Sequence, residues 1–207
     1  MRKCPYCDFN SHENAGGLPE GEYVDALMRD LEELLPGTWG RRTSSVFIGG
    51  GTPSLFSPES IDRILSGARA RLALEPDAEV TLEANPGTVE AGRFRGFRAA
   101  GVNRISIGVQ SFDDRMLGAL GRIHNAAEAR RAIEAALASF DNVNIDLMYG
   151  LPGQSAAMAR ADLGQALSLG TPHLSAYQLT IEPNTAFYSR PPALPLRSLR
   201  TRIVCRH

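Results

Sequence analysis

Cys4-Pro5-Tyr6-Cys7 sets two thiols three positions apart with an aromatic side chain between them. Thiolates at this spacing suit iron, whose clusters are held by soft sulfur donors. The same spacing also describes a redox pair, half of a zinc site or two unrelated thiols. Gly49-Gly50-Gly51-Thr52-Pro53 follows a short apolar run and reads as a turn closing a β-strand. Polar residues then recur behind later apolar runs: Glu83 in Glu83-Ala84-Asn85-Pro86, Gln110 in Gln110-Ser111-Phe112, and Asp146 ahead of Gly150-Leu151-Pro152-Gly153. Singly, Glu83 and Asp146 describe strand-end carboxylates in water, and Arg122 a surface ion-pair residue worth about 0–1 kcal/mol. Their order along the chain points instead to an iron–sulfur cluster beside a bound small molecule.

Such groups act together only if the chain carries them to one place. Apolar or β-branched runs over residues 45–48, 79–83, 104–110, 142–149 and 173–181 predict five strands. Tyr23, Leu27, Leu31, Leu34 and Leu35 recur at helical spacing, as do Ile61, Ile64, Leu65, Ala68 and Leu72, and both stripes are expected in the core. Further helices are expected over residues 89–100, 126–140 and 156–169. Ser57 before Pro58 predicts an N-cap and a first-turn proline. Asn125 with Glu128 predicts a capping box. Gly101 and Gly170 fall just past helices, where glycine closes the last turn in a left-handed conformation. Strand–helix repetition gives a mostly parallel sheet covered by helices, as a barrel or an open doubly wound sheet. Both architectures bind ligands at the carboxyl ends of their strands. The glycine, carboxylate and amide motifs end or follow strands, so all would face one rim.

Composition narrows the class. A chain of 207 residues with 43% hydrophobic content can bury one sizeable core. A net charge of −1 gives no basic field to attract nucleic acid or anionic lipid. No apolar stretch approaches the ~20 residues of a membrane span, and the start has no secretory apolar region. Three cysteines argue against a secreted disulfide framework and for a reducing compartment, with the cytoplasm as the expected setting. Trp39, behind a Pro36-Gly37 turn signal, reads as a loop packing residue. His12, His124 and His173 read as surface or hydrogen-bonded histidines rather than ligands.

Taken in order, the motifs resemble the radical S-adenosylmethionine superfamily. Within it they resemble the oxygen-independent coproporphyrinogen III oxidase-like group, and most of all its heme-chaperone branch. The residues that carry the resemblance are Lys3-Cys4-Pro5-Tyr6-Cys7-Asp8-Phe9-Asn10-Ser11, Phe47-Ile48-Gly49-Gly50-Gly51-Thr52-Pro53-Ser54 and Glu83-Ala84-Asn85-Pro86. Ser106-Ile107-Gly108-Val109-Gln110-Ser111-Phe112, Leu120-Gly121-Arg122-Ile123-His124 and Asp146-Leu147-Met148-Tyr149-Gly150-Leu151-Pro152-Gly153-Gln154 complete the set. The resemblance implies an α/β fold, a partial (β/α)6 barrel with a mostly parallel sheet and outer helices. It implies a [4Fe–4S] cluster with Cys4 and Cys7 among its ligands, and S-adenosyl-L-methionine bound at its open iron. Gly50, Gly51 and Thr52 would lie along the methionine end of that cofactor, Tyr6 near its adenine, and Glu83, Gln110, Arg122 and Asp146 around its polar groups. Heme, a heme-acceptor protein and a reducing electron donor are the implied partners, without nucleic acid. The alternative within the group is the oxidase, which forms protoporphyrinogen IX by oxidative decarboxylation. Oxidases carry a further cysteine two positions beyond the last cluster cysteine, where this chain has Phe9.

The chain also departs from that pattern. The family's cluster loop is Cys-x3-Cys-x2-Cys, and its first cysteine would precede Met1. The strand that leads into the loop is missing with it, so five strands are expected and residues 46–48 should form an open edge. A late translation start or gene-model start is the expected cause, and two thiolates in place of three should bind a cluster weakly. Residues 1–196 are expected to form the radical-chemistry core domain. Residues 197–207 read as an atypical basic tail, disordered or frameshifted, with Arg197, Arg200, Arg202, Arg206 and His207 and no acidic residue. Cys205 lies too far along this tail to replace a cluster ligand.

Overall fold

The computed structural model of the chain describes residues 3–9, 17–88 and 91–195. Expectations for Asn10, Ser11 and His12, for the helix start at Val89, and for the tail with Cys205 lie outside those residues. Five strands, β1 (Arg42–Ile48), β2 (Ala73–Ala84), β3 (Arg104–Gln110), β4 (Asn142–Tyr149) and β5 (His173–Gln178), pair in chain order and all in parallel. Parallel neighbours need crossovers, and helices supply them. They are α2 (Pro58–Arg71), α3 (Ala91–Ala99), α4 (Asp114–Ala119) with α5 (Ala126–Leu137), and α6 (Ala156–Ser168). Helix α1 (Glu20–Thr38) precedes β1 and packs on α2, and the single turn α7 (Ala186–Ser189) follows β5. The sheet curls into part of a barrel, which settles the choice between barrel and open sheet.

The curl has a chemical basis in the strand alternation. Ile105, Ile107, Val109, Val143, Ile145 and Leu147 are buried on the helix side, against Ile61, Leu65, Phe94, Phe97 and Ile133. The intervening residues Arg104, Ser106, Gly108, Asn144, Asp146 and Ser175 stand in register on the other face. A closed barrel of this kind fills its interior with branched apolar side chains. Here Ser106, Asn144, Asp146 and Ser175 make part of the inner face polar and bond one another, and a second, smaller apolar cluster forms around Met148 with Leu120, Leu151 and Phe187.

Local signals act as their chemistry requires. Ser57 accepts from the Ser60 N–H and Pro58 opens α2, while Asn125 and Glu128 close a complete capping box on α5. Gly101 and Gly170 take positive φ just past α3 and α6. Other expectations need correction. Helix α1 runs through Pro36-Gly37 to Thr38, because a proline in the last turn forfeits only one bond. Trp39 is 86% exposed, so it packs nothing, and the α1 stripe is core only in part. Val24 is buried, whereas Tyr23 and Leu34 are exposed, with Tyr23 leaning on the Phe56 ring. Helix α5 stops at Leu137, and Phe140 is buried beyond the helix end against Phe94.

Candidate functional site

The Cys4–Cys7 segment is a turn closed by the Cys7 N–H on the Cys4 carbonyl at 3.1 Å. It is seated on two other elements. The Pro5 carbonyl accepts from the Phe187 N–H at the start of α7, and the Pro5 ring lies against Gly121, where a Cβ would meet Pro5 Cδ at 2.7 Å. Arg122 reaches the loop from the turn after α4, with Nη1 3.7 Å from Cys4 Sγ and 3.4 Å from the Tyr6 hydroxyl. The Tyr6 ring packs in a small apolar cluster with Leu120, Leu151 and Phe187. Burial pushes its phenol up to about 12, against the opposing pull of Arg122. Both thiols are free and half-buried.

The glycine turn after β1 approaches the same rim. Gly50 and Gly51 have φ of 77° and 51°, which bulkier residues reach only at a cost. A Cβ on either would meet no other protein atom, so within the chain itself it is the dihedral that calls for glycine. The Gly50 N–H donates to Glu83 Oε2 at 3.1 Å, tying this turn to the end of β2. Thr52 opens a short 3-10 turn, Pro53–Leu55. Behind it, buried Ser54 joins Asn85 and Thr88 at 3.3 and 2.9 Å. Burial raises the Glu83 carboxyl pKa; the Gly50 N–H opposes that shift and the nearby Asp146 reinforces it.

Asp146 sits at the centre of the polar face. Its two oxygens accept from Ser106 Oγ at 2.7 Å and Asn144 Nδ2 at 2.8 Å, and Ser175 bonds Asn144 Oδ1. Burial raises its pKa as well, partly offset by those bonds and by Arg104. Gln110 ends β3 with φ of 71°, after a one-residue irregularity in the β3–β4 register. The Tyr177 hydroxyl donates to Gln110 Oε1 at 2.6 Å. Arg122 Nη2 donates to the Gly108 carbonyl at 2.7 Å, and His124 Nε2 pairs with the Val109 carbonyl at 3.0 Å. Among the described residues Arg122 Nε is buried without a hydrogen-bond partner.

The structure thus brings Cys4, Tyr6 and Arg122 into one group and Gly50 and Glu83 into a second, and sets Gln110 at the end of β3 beside Asp146, which lies within β4 rather than at its end. His173 stays exposed at the start of β5. Tyr177, late in the fifth apolar run, belongs to the same expected rim, whereas sequence reading passes over the roles of Ser106, Asn144, Ser175 and Asp162. Asp162 holds the loop after Gln110 through Ser111 Oγ and the Phe112 N–H, both at 2.7 Å. A signal for Ser106 and Asn144 was present: strict polar–apolar alternation through Arg104-Ile105-Ser106-Ile107 and Asn142-Val143-Asn144-Ile145 marks a wet strand face. Nothing local marks Asp162, which lies in an ordinary helix.

Comparison with known proteins places this geometry. Residues 1–164 match the Radical SAM superfamily model. The chain is 57% identical over 199 residues to the heme chaperone HemW of Escherichia coli, covering 94% of this chain and 52% of that protein. It is 42% identical to the mouse mitochondrial radical S-adenosyl methionine domain-containing protein 1, over 91% of this chain and 43% of that one. The solved coproporphyrinogen III oxidase HemN from Escherichia coli superposes with a TM-score of 0.85 at 27% identity, over 98% of this chain and 48% of that chain. The chain therefore spans about half the length of the curated relatives it matches. A family match across most of the chain, on a curled parallel sheet with its polar groups at one rim, makes this protein a member of the radical S-adenosylmethionine superfamily.

Proposed function

We propose that the chain is the cofactor-binding half of a heme chaperone, which takes up heme and passes it to an acceptor protein. The observation that carries this reading is the 57% identity to the heme chaperone HemW, against 27% to the oxidase. Phe9, standing where the oxidases carry an extra cysteine, supports the same side. Superfamily membership implies a [4Fe–4S] cluster and S-adenosylmethionine. Cys4 and Cys7 supply two sulfur donors of the right softness. Among the described residues no group of three or more His, Cys, Asp or Glu side chains is placed to hold a metal.

For S-adenosylmethionine the donor set fits. The orphaned Arg122 Nε offers a buried cationic donor for a carboxylate. Glu83 and Asp146 offer carboxylates for an ammonium or for ribose hydroxyls, and the Gly50-Gly51-Thr52 turn offers backbone. Tyr6, with its apolar ring and raised pKa, offers a flat neutral surface. When bound, this cofactor supplies radical chemistry on reduction by an external electron donor. The chain's own residues bind it, orient it and keep water from its reactive end. Among the described residues no helix is long and apolar enough to cross a membrane.

The second reading, coproporphyrinogen III oxidase, rests on the close structural match to HemN. One experiment separates them. Anaerobically reconstituted protein is titrated with heme, followed by its Soret band, and in parallel supplied with coproporphyrinogen III, S-adenosylmethionine and reductant. Saturable heme binding without vinyl product is expected. Vinyl formation would replace the chaperone with the oxidase.

A further inference from the structure

Gln110 is held more tightly than a binding residue on an exposed loop would need to be. Gly108 pairs with Asp146 and Gln110 with Leu147, so Val109 is the extra residue of a bulge in β3. Bulges re-aim a side chain beside functional sites. The cost is a left-handed glutamine, a conformation that a residue with a Cβ seldom adopts. Side chains from three other places stabilise it. Arg122 takes the Gly108 carbonyl, His124 takes the Val109 carbonyl, and Asp162 takes the two groups that follow Gln110. The backbone at Gln110 is therefore fixed, and only its amide plane is left to be set.

An amide rotated by half a turn exchanges a donor for an acceptor at almost no steric cost. Gln110 is 5% exposed. Among the described residues its Oε1 has one donor, the Tyr177 hydroxyl at 2.6 Å, and its Nε2 has no acceptor. The amide nitrogen lies beside Arg122: a Cβ built on Gly108 would meet Gln110 Nε2 at 3.0 Å and Arg122 Nη2 at 3.5 Å. Two donors share the space over a residue that has no side chain. Arg122 Nη2 already donates to the Gly108 carbonyl, and an acceptor oxygen placed in this space would meet the Gln110 amide nitrogen as well.

We propose that Tyr177 is a positioning residue of this site. By donating to Gln110 Oε1 it turns the amide nitrogen toward Arg122, so that the pair presents donors to a carboxylate or hydroxyl oxygen of the bound ligand. Burial and the neighbouring Asp146 both raise the Tyr177 phenol pKa, which keeps the hydroxyl proton in place for this task. Tyr177 itself touches no reacting atom. The assignment rests on the cofactor reading above for the identity of the ligand, though not for the orientation of the amide.

The test has two readouts on the same samples. Glutamine-labelled protein reports the Gln110 side-chain amide by NMR without any ligand, and calorimetry reports S-adenosylmethionine affinity. Tyr177→Phe should shift or double the Gln110 amide signals and weaken binding about five- to tenfold, the worth of one half-buried hydrogen bond. In a Gln110→Ala background Tyr177→Phe should cost nothing further. Gln110→Glu, which keeps the acceptor for Tyr177 but loses the donor, should weaken binding at least as much as Tyr177→Phe. An unchanged amide spectrum, equal losses in both backgrounds, or full affinity in Gln110→Glu would each overturn the assignment. If the amide responds to Tyr177→Phe while the unaltered protein binds no S-adenosylmethionine, the positioning role stands and the cofactor reading falls.

Discussion

Arg122 and His124, two residues apart, bond consecutive β3 carbonyls in different charge states. Arginine stays charged at any working pH. His124 is 3% exposed, and burial, reinforced by the Arg122 charge, lowers its pKa to about 4. Its folded pKa lies below the ordinary histidine value, so acid protonates the unfolded chain first. Its stabilising contribution is complete above about pH 6.5 and is lost as pH falls toward 4, at about 1.36 kcal/mol per unit. Glu83, Asp146 and Asp162 have raised carboxyl pKa values and act in the opposite sense, gaining stability as they protonate in the fold. The total profile is a sum, so a difference measurement is needed. Between pH 7 and 5 the unaltered protein should lose on the order of 2 kcal/mol that His124→Gln retains, read from urea unfolding at each pH. Parallel losses in both proteins would assign the proton to another group. At this scale the sequence revealed motif membership better than task. Gly121-Arg122-Ile123-His124 marked the right turn, but that His124 serves a backbone carbonyl depends on a bulge that no spacing announces.

Helices here meet through small residues, and two glycines in α3 separate packing from propensity. Gly96 faces α2: a Cβ there would meet Pro58 Cγ at 2.5 Å and Cβ at 2.8 Å, on a ring that cannot rotate away. Gly92 lies one turn earlier, and its Cβ would approach only the tip of Arg95, at 4.0 Å. Gly96→Ala should therefore destabilise by about 1–3 kcal/mol through overpacking. Gly92→Ala should be neutral or stabilise by up to about 1 kcal/mol through backbone entropy. Thermal unfolding of the two variants checks both signs, and equal shifts would mean that α3 does not rest on Pro58. Elements were the most legible level of this chain. β3 and β4 were bounded correctly because alternation between Gly or turn signals defines both ends. α4 was missed because six residues cannot show a helical period, and β2 was read short because Glu75, Pro76 and Asp77 interrupt its apolar pattern. The α1 stripe misled for a different reason. Periodicity reports which residues share a face, not whether another element covers that face.

At the scale of the whole molecule, the first strand is the exposed element. β1 pairs with β2 on one side only and is an edge of the sheet among the described residues. Its Phe47 is 61% exposed. Exposed strand edges pair with one another unless charge, proline, a strong bulge or a covering element prevents it. The register shift between Thr43 and Ser45 twists the start of this edge, but the pairing from Ser45 to Ile48 is regular, and among the described residues no strand pairs with its other side. A net charge of −1 offers almost no mutual repulsion between copies. The 207-residue chain should therefore self-associate, with a light-scattering mass that rises along a concentration series. Phe47→Lys removes the largest apolar group from the edge and adds a charge that a second copy would have to bury. It should hold the mass constant over the same series, while Leu167→Lys, an equally apolar-to-charged change at an exposed site on α6, should leave the association as it was. Association that survives Phe47→Lys and is lost with Leu167→Lys would move the contact to the helical side. The open strand edge would then be a feature that this fold tolerates without consequence.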